Sequence, residues 1–352
     1  MAGLCADRAS GARQVSSFAM TTAVSLWFVY VGAIALYVSA ALVAVAKGAN
    51  PWWYVAAAPL VYLTVLGSIT FLWFALAWLF RSPRPKEVRI GLSATLRLFW
   101  EEMWAIAGSS RHMALYRFLP ADPPPAPARA PVLLVHGVLC NAGSMHGLRS
   151  ALVARDIHPV YSLSYGPPLG SIEEFADQLA VKIDAILAAT GARRVAIVGH
   201  SMGGLVARAY LRRHDPAKVS TVVTIGTPHH GSVHAWLFPG VCLGQLRPNN
   251  AWLAELNRGE AAPGGVRVVS LWSWHDSMVA AQKSGELDGA VNIALSGIGH
   301  NALVANPRVF ALVAEELKRV AQTAPTDTSS APAAAAASAQ IAQGPASELS
   351  AT

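Results

Sequence analysis

Apolar and polar positions along the chain fall into three successive patterns, and the first is the most apolar. No charged residue occurs at 14–46, and a second uncharged stretch covers 48–80. Each stretch is longer than the roughly 20 residues that a helix needs to cross a bilayer, and turn-forming residues at 47–51 separate the two. The pattern predicts two transmembrane helices over residues 18–80. A pair of buried core helices is the alternative, which this length disfavours.

Basic residues are distributed unevenly around these stretches. The connecting loop carries only Lys47, whereas Arg8 and Arg13 precede the first stretch and four basic residues follow the second. Because cytoplasmic flanks of membrane helices are enriched in Lys and Arg, segment 1–17 and the chain after the second helix are predicted to be cytoplasmic. A cleaved signal peptide ending at Ala46 is the alternative, but its apolar core would exceed the usual length of about 7–15 residues.

A second pattern has the period of an amphipathic helix. Apolar residues recur every three or four positions between 87 and 107, and Trp100 and Trp104 widen the apolar face. Segment 81–119 is therefore predicted to contain a juxtamembrane amphipathic helix, which lies either on the bilayer or on the surface of the following domain. A Pro/Ala-rich linker at 120–131 marks the boundary of that domain.

The third pattern alternates short β-branched runs with helical stretches and covers residues 132–320. Such alternation predicts an α/β domain with a mostly parallel sheet flanked by helices. The predicted strands are 132–135, 158–163, 194–199, 220–225, 266–271 and 291–296, and the predicted helices lie near 144–155, 171–190, 202–213 and 307–321. Segment 321–352 is rich in Ala, Ser, Thr and Pro without periodicity, and is predicted to be disordered.

Composition and charge limit the classes of partner. The chain is 53% hydrophobic and only 13% charged, which favours a membrane protein. The net charge of +7 is not accompanied by a basic run with interleaved aromatic residues, so we expect no nucleic-acid partner and a basic face turned toward anionic lipid.

The three cysteines lack metal-ligand spacing and fit a reducing compartment, with a disulfide between Cys140 and Cys242 as the alternative. Nothing in the sequence indicates an oligomeric state.

A motif typical of a catalytic nucleophile joins the third predicted strand to the next helix. The sequence Gly199-His200-Ser201-Met202-Gly203 has the Gly-x-Ser-x-Gly pattern at this junction. Glycines two positions before and after the serine fit a strained turn, because a side chain there would collide with the neighbouring strand and helix. Ser201 is therefore the candidate nucleophile.

A serine nucleophile needs a base that takes its proton and a carboxylate that orients the base. In a strand–turn–helix context of this kind the partners follow in the order Ser, Asp or Glu, His. His300, between the last predicted strand and the final helix, is the candidate base among six downstream histidines. Asp276, after predicted strand 266–271, is the candidate acid and is favoured over Glu286 and Asp288, which lie in a predicted exposed turn.

These motifs together resemble a known family. From about residue 130 to 318 the chain is similar to the α/β-hydrolase superfamily, and in particular to bacterial lipases and esterases of the triacylglycerol-lipase type. The matching segments, in the order found in the family, are 132–137, 199–204, 226–232, Asp276 and Gly299-His300. The resemblance does not extend to the first 120 residues.

The resemblance implies an oxyanion hole and a set of loops around the nucleophile. One donor is expected to be the backbone N–H of Met202. The family pattern places the other donor at Val138, with Leu139 as the second choice. Leu139 is also expected to line the substrate pocket. His136 is then expected to shape this loop rather than to transfer protons. His229 and His230, in the 226–232 turn, are interpreted as loop residues, and no carboxylate cluster indicates calcium or zinc.

An insertion at 233–265 begins with an apolar run. Insertions at this point of the fold commonly cap the acyl pocket, so Trp236, Leu237 and Phe238 are candidate lid residues, with an ordinary surface loop as the alternative. The sequence therefore predicts a serine hydrolase anchored in the bacterial inner (cytoplasmic) membrane that cleaves lipid or other acyl esters without a cofactor. The alternatives are a thioesterase or acyltransferase with the same triad, and a membrane-tethered binding protein on a hydrolase fold.

Overall fold

The computed structural model describes residues 2–259 and 261–323. Within this part of the chain, six strands form one fully parallel sheet in the order β2-β1-β3-β4-β5-β6. The strands are β1 Val132–Val135, β2 Val160–Leu163, β3 Val195–His200, β4 Val219–Ile225, β5 Arg267–Ser273 and β6 Val291–Leu295. Each predicted strand is present, with shifts of one or two residues at most ends, so the predicted sheet is confirmed.

Helices cover both faces of this sheet. The helices of the domain are α4 His146–Val153, α5 Ile172–Thr190, α6 Met202–Arg213, α7 Val241–Leu246, α8 Ala251–Leu256 and α9 Pro307–Thr323. In β1, Leu133 and Val135 face the apolar cluster on α5 and α6, whereas Val132 and Leu134 face the cluster on α4 and α9. This alternation follows from the two-residue period of a strand. The short helices α7 and α8 divide the insertion that follows β4 and were not predicted.

Two apolar helices precede the domain. These are α1 Ala2–Ala46 and α2 Pro51–Leu79, and within them Thr21–Ala46 and Pro51–Leu79 are long and apolar enough to cross a membrane by length and composition. Asn50 caps α2 by accepting a hydrogen bond from the Trp52 backbone N–H at 3.0 Å. The Tyr37 hydroxyl donates to the Tyr54 carbonyl at 2.6 Å, so the two helices pack as a hairpin.

The amphipathic helix α3 spans Leu92–Ala114, starting later and ending later than the predicted pattern. Its apolar residues divide between two sides: Leu98 and Met103 are buried, whereas the side chains at one-turn spacing on the other side are exposed. These exposed residues are Leu92, Leu96, Trp100 and Trp104. Phe99 packs near Phe74 of α2, with ring centroids 6.4 Å apart. The helix thus packs on the protein with one side and leaves an apolar stripe open on the other.

The predicted linker at 120–131 is fastened to the domain. Asp122 accepts a hydrogen bond from the Ser162 backbone N–H at 3.0 Å and forms an ion pair with Lys182 at 2.5 Å.

Helix α9 continues to Thr323, and the rest of the predicted disordered tail, 324–352, lies outside the described residues. Cys140 and Cys242 are both free thiols, so the alternative of a disulfide between them is wrong.

Candidate active site

Ser201 lies in a strained turn between β3 and α6. Its backbone has φ 55° and ψ −127°, a left-handed conformation that a residue with a side chain rarely adopts. Such strain costs about 1–3 kcal/mol and persists only where neighbouring contacts hold it. Here the Ser201 backbone N–H donates to the Ile225 carbonyl of β4 at 2.8 Å, and the Ser201 carbonyl accepts from the Gly204 N–H at 3.1 Å.

The glycines on either side make this turn possible. A Cβ at Gly199 would lie 2.6 Å from the carbonyl carbon of Gly203, and a Cβ at Gly203 would lie 2.5 Å from the carbonyl oxygen of His136. Real Cβ atoms do not approach backbone atoms so closely, so any side chain would force the turn apart. The glycine pattern is therefore explained by close backbone approach, as the sequence suggested.

We expect Gly203→Ala to lower the free energy of unfolding by about 1–3 kcal/mol, because overpacking forces a backbone shift. The shift would also move Ser201, so ester turnover should fall together with stability. Gly244→Ala on α7 is the matched control, since a Cβ there meets no atom within 4 Å. Chemical denaturation of both variants measures the difference; equal stability and turnover would contradict the steric account.

The candidate base and acid form a buried pair at the same edge of the sheet. The His300 Nδ1 and the Asp276 Oδ2 are 2.9 Å apart, and the two residues are 3% and 2% exposed. The other oxygen of Asp276, Oδ1, accepts the backbone N–H groups of Met278 at 2.8 Å and Val279 at 2.7 Å. These bonds fix the carboxylate so that one oxygen is directed at the imidazole.

The pair lies close to the serine turn. The ring of His300 is 4.8 Å from the ring of His200, the residue before Ser201. Gly226, which follows β4, has φ 56°, and a Cβ there would lie 3.2 Å from the Asp276 Oδ2 and 3.3 Å from the His300 Nδ1. The competing carboxylates lie elsewhere: Asp288 is exposed, and Glu286 is paired with Lys283 at 3.7 Å.

Electrostatics favour a charged imidazole at His300. Burial alone would lower the pKa of His300, but the charge of Asp276, the hydrogen bond to it and the charge of Glu102 together raise it above its ordinary value of 6.5. A base with a raised pKa is neutral, and able to accept a proton, only at a pH above that value. General-base catalysis by His300 should therefore be lost as the pH falls through this raised pKa.

The loop after β1 runs directly against the candidate nucleophile. A Cβ at Gly137 would lie 2.9 Å from the Cβ of Ser201. Val138 follows at once and packs partly against the core, while Leu139 has φ 55° and a side chain that is half exposed. Met202, the first residue of α6, is buried. The residues predicted to supply the two donors thus belong to the loop that contacts Ser201 and to the first turn of α6.

His136 holds this loop. Its Nδ1–H donates to the Gly137 carbonyl at 2.8 Å, and its ring stacks on Tyr165 with centroids 4.1 Å apart. The Tyr165 hydroxyl donates to the His136 carbonyl at 2.5 Å. Burial lowers the pKa of His136 to about 4, which the Gly137 hydrogen bond only partly opposes, so the ring is neutral at pH 7. These contacts give His136 a structural position beside the serine.

The turn at 226–232 is fixed by buried polar contacts. His229 is fully buried, and its Nε2 lies 3.1 Å from the Thr224 hydroxyl while its Nδ1 lies 3.4 Å from Arg208. Burial, followed by the charge of Arg208, holds the pKa of His229 well below its usual range. The His230 backbone N–H donates to the Ser284 hydroxyl at 3.0 Å. Residues 2–259 and 261–323 contain no group of three His, Cys, Asp or Glu side chains arranged to hold a metal ion.

The candidate lid lies beside helix α2. Trp236, Leu237 and Phe238 are exposed, and the ring of Phe238 is 6.5 Å from the ring of Trp73. His234, at the start of the same segment, is 5.4 Å from the Trp73 ring, and its Nε2 is 3.4 Å from the Trp73 carbonyl. The segment therefore contacts the apolar hairpin through His234 and Phe238.

Sequence reasoning missed two polar residues that join the N-terminal helices to the site. Gln282 donates from its Nε2 to the carbonyls of Ala77 on α2 and Asp276, at 3.4 and 3.3 Å. Glu102 of α3 accepts hydrogen bonds from Ser277 and Asn301, the neighbours of the candidate acid and base. One signal was available: Glu102 stands on the buried, otherwise apolar side of a helix, where a carboxylate is costly unless it has partners.

Comparison with known proteins shows which family part of this chain resembles. Residues 109–267 match the family described as the α/β hydrolase fold. Together with the parallel sheet, this match confirms the α/β-hydrolase fold predicted from the sequence.

Particular relatives cover only part of the chain. A triacylglycerol lipase of Vibrio cholerae is 33% identical over 158 residues, which are 44% of this chain and 47% of that protein. A triacylglycerol lipase of Pseudarthrobacter phenanthrenivorans is 38% identical over 120 residues, 31% of this chain and 36% of the relative. The chain thus spans less than half the length of these curated relatives. The mature form of Bacillus licheniformis lipase BlEst2 is 19% identical with a TM-score of 0.49, covering 56% of this chain and 96% of that one.

Proposed function

We propose that this protein is a membrane-anchored serine hydrolase that cleaves carboxylic esters of lipids through an acyl-enzyme. Ser201 is the nucleophile, His300 the general base and acid, and Asp276 the residue that orients the imidazole. The observation that carries the proposal is the buried 2.9 Å contact between His300 and Asp276, next to a serine held in a strained turn.

The proposed mechanism follows from the hydrogen bond between His300 and Asp276. Because the His300 Nδ1–H is directed at Asp276, the Nε2 is the nitrogen that accepts the proton of Ser201 as its Oγ attacks the ester carbonyl. The oxyanion that forms is stabilised by the backbone N–H groups of Met202 and Val138, which do not need to reorganise. His300 then protonates the departing alcohol, and water releases the acyl group by the reverse sequence.

The apolar surroundings of the site support a lipid substrate. The ring of the exposed Phe238 is 6.5 Å from the Trp73 ring of α2, and the neighbouring Trp236 and Leu237 are also exposed, so apolar surface for an acyl chain continues from the hairpin to the candidate lid. The exposed stripe on α3 adds apolar surface next to the same helices. The curated relatives described as triacylglycerol lipases support ester hydrolysis of the same kind.

The membrane arrangement is part of the proposal. Residues 18–80 form a hairpin of two transmembrane helices, 81–119 the juxtamembrane segment, and 132–320 the catalytic domain on the cytoplasmic side of the bacterial inner membrane. The support is the apolar length of α1 and α2 and the basic residues that follow α2, among them Arg81 and Arg84.

The proposal is tested with the full chain in phospholipid vesicles and a series of p-nitrophenyl esters from acetyl to palmitoyl. Each buried methylene contributes about 0.8 kcal/mol, so two buried methylenes already predict a preference of roughly tenfold in kcat/KM for the longer esters. A preference for acetyl esters would exclude a lipid substrate. Faster turnover of acyl thioesters, or acyl transfer to an added alcohol in place of hydrolysis, would favour the thioesterase or acyltransferase alternative.

A further inference from the structure

Glu102 is a buried carboxylate that lies outside the sheet and its covering helices. It is 0% exposed, although it stands on α3, next to the apolar hairpin. Its Oε1 accepts the Ser277 hydroxyl at 2.7 Å and both the backbone N–H and the side-chain amide of Asn301 at 3.0 Å each. Its Oε2 accepts the Ala302 backbone N–H at 2.9 Å. A buried carboxylate with this set of donors is well satisfied.

The partners of Glu102 belong to the two loops that carry the acid and the base. Ser277 directly follows Asp276, and Asn301 directly follows His300. One carboxylate therefore ties together two loops that come from different strand ends. The bonds to the backbone N–H groups of Asn301 and Ala302 also fix the main chain immediately after the imidazole.

Gly299 shows how closely the two elements approach. A Cβ at Gly299 would collide with the carboxylate of Glu102, lying 2.7 Å from its Cδ. The glycine before His300 is thus required by the packing of α3, because its backbone φ is not in the left-handed region that would demand glycine. The same helix contact that needs Gly299 places Glu102 against the base loop.

We propose that Glu102 is a positioning residue, which sets the geometry of the His300 and Asp276 loops and holds His300 in its electrostatic environment. This inference rests on the proposed function, because it concerns the same base. It also makes α3, with its exposed apolar stripe, part of the catalytic apparatus rather than a spacer between the hairpin and the domain.

The charge of Glu102 raises the pKa of His300, which the packing of α3 alone would not do. The titratable groups facing His300 are Asp276, Glu102, His200 and His234. Burial keeps the pKa of His200 and of His234 below the ordinary value, so neither is charged where His300 titrates. The charges of Asp276 and Glu102 both raise the pKa of His300. Removing the Glu102 charge must lower that pKa, which moves the acidic limb of the kcat/KM profile to lower pH.

The test compares Glu102→Gln with Glu101→Gln, the exposed neighbour on the same helix, in the full chain in phospholipid vesicles. The pH dependence of kcat/KM is measured on a long-chain p-nitrophenyl ester, with kcat normalised to active sites titrated by a fluorophosphonate. We expect Glu102→Gln to reduce kcat by about 10- to 100-fold with little change in KM, as a small misplacement of a catalytic group does. We also expect its acidic limb to move to lower pH, and Glu101→Gln to behave as the wild type.

Ser277→Ala is a second test variant, for use if Glu102→Gln folds poorly. It removes one donor and leaves the charge, so it should lower kcat by a few fold without moving the acidic limb. A wild-type profile in Glu102→Gln, or a loss of kcat with an unmoved acidic limb, would overturn the proposal. Failure of the wild type to turn over esters would instead count against the proposed function, so the two failures are distinguishable.

Discussion

Replacing Ser201 with alanine is expected to abolish ester turnover, with a fall in kcat of about 10⁵- to 10⁶-fold. Loss of a serine nucleophile removes the covalent route altogether and leaves only binding and the oxyanion donors. The free energy of unfolding should change by less than about 1 kcal/mol, because alanine fits the space of serine and keeps the same backbone. Steady-state kinetics and denaturation of the same preparation separate the two effects.

Ser150→Ala is the matched control for that substitution. Ser150 is an exposed serine on α4, remote from the turn that carries Ser201. It should retain wild-type kcat. Residual turnover above about 1% in Ser201→Ala, with wild-type turnover in the control, would mean that another group attacks the ester.

Replacing Asp276 with asparagine is expected to reduce kcat by about 10⁴-fold, since an amide at this position favours the wrong tautomer of the base. The substitution also removes a charge that raises the pKa of His300. With that charge absent, the pKa falls, and the residual activity should persist to lower pH than in the wild type. The pH dependence of kcat/KM measures both the loss and the direction of the shift.

Asp288→Asn provides the comparison for the acid. Asp288 was the competing carboxylate in sequence, and the structure leaves it exposed in the turn before β6. We expect Asp288→Asn to keep wild-type activity and an unmoved acidic limb. A large loss in Asp288→Asn together with a small one in Asp276→Asn would show that the acid had been assigned to the wrong loop.

Much of the fold was predictable from local pattern. The β-branched runs predicted all six strands, because each run is bounded by turn residues and four of the six are followed by a helical period. The serine turn was predictable for a steric reason, since glycines at 199 and 203 are the residues that the close backbone contacts demand. The positions of Asp276 and His300 followed from the order of partners along the chain, which places both at carboxyl ends of strands.

Other features were not predictable, because they depend on contacts between distant segments. Glu102 meets Asn301 across 199 residues, and Gln282 meets Ala77 across 205. No periodicity in either segment encodes such a partner. The apolar period at 87–107 predicts a single apolar face, whereas the residues of α3 divide between the buried Met103 side and the exposed Trp100 and Trp104 side. Short helices α7 and α8 have too few turns to leave a clear pattern.

These long-range contacts join the N-terminal helices to the candidate site. Helix α2 contacts the candidate lid through Trp73 and the acid loop through Gln282, while α3 contacts the base loop through Glu102. The proposed catalytic residues are thus held from the side on which the apolar hairpin lies. A chain cut at the predicted linker, 120–131, would lose these contacts together with the hairpin.

The central claim is that Ser201 is an activated nucleophile, and covalent labelling tests it most directly. Membranes that contain the wild-type chain or Ser201→Ala would be treated with a fluorophosphonate, and the modified peptide located by mass spectrometry. We predict one adduct in the wild type, on the peptide that carries Ser201, and none in the variant. Equal labelling of both proteins, an adduct on another residue, or no labelling of folded wild-type protein would contradict it.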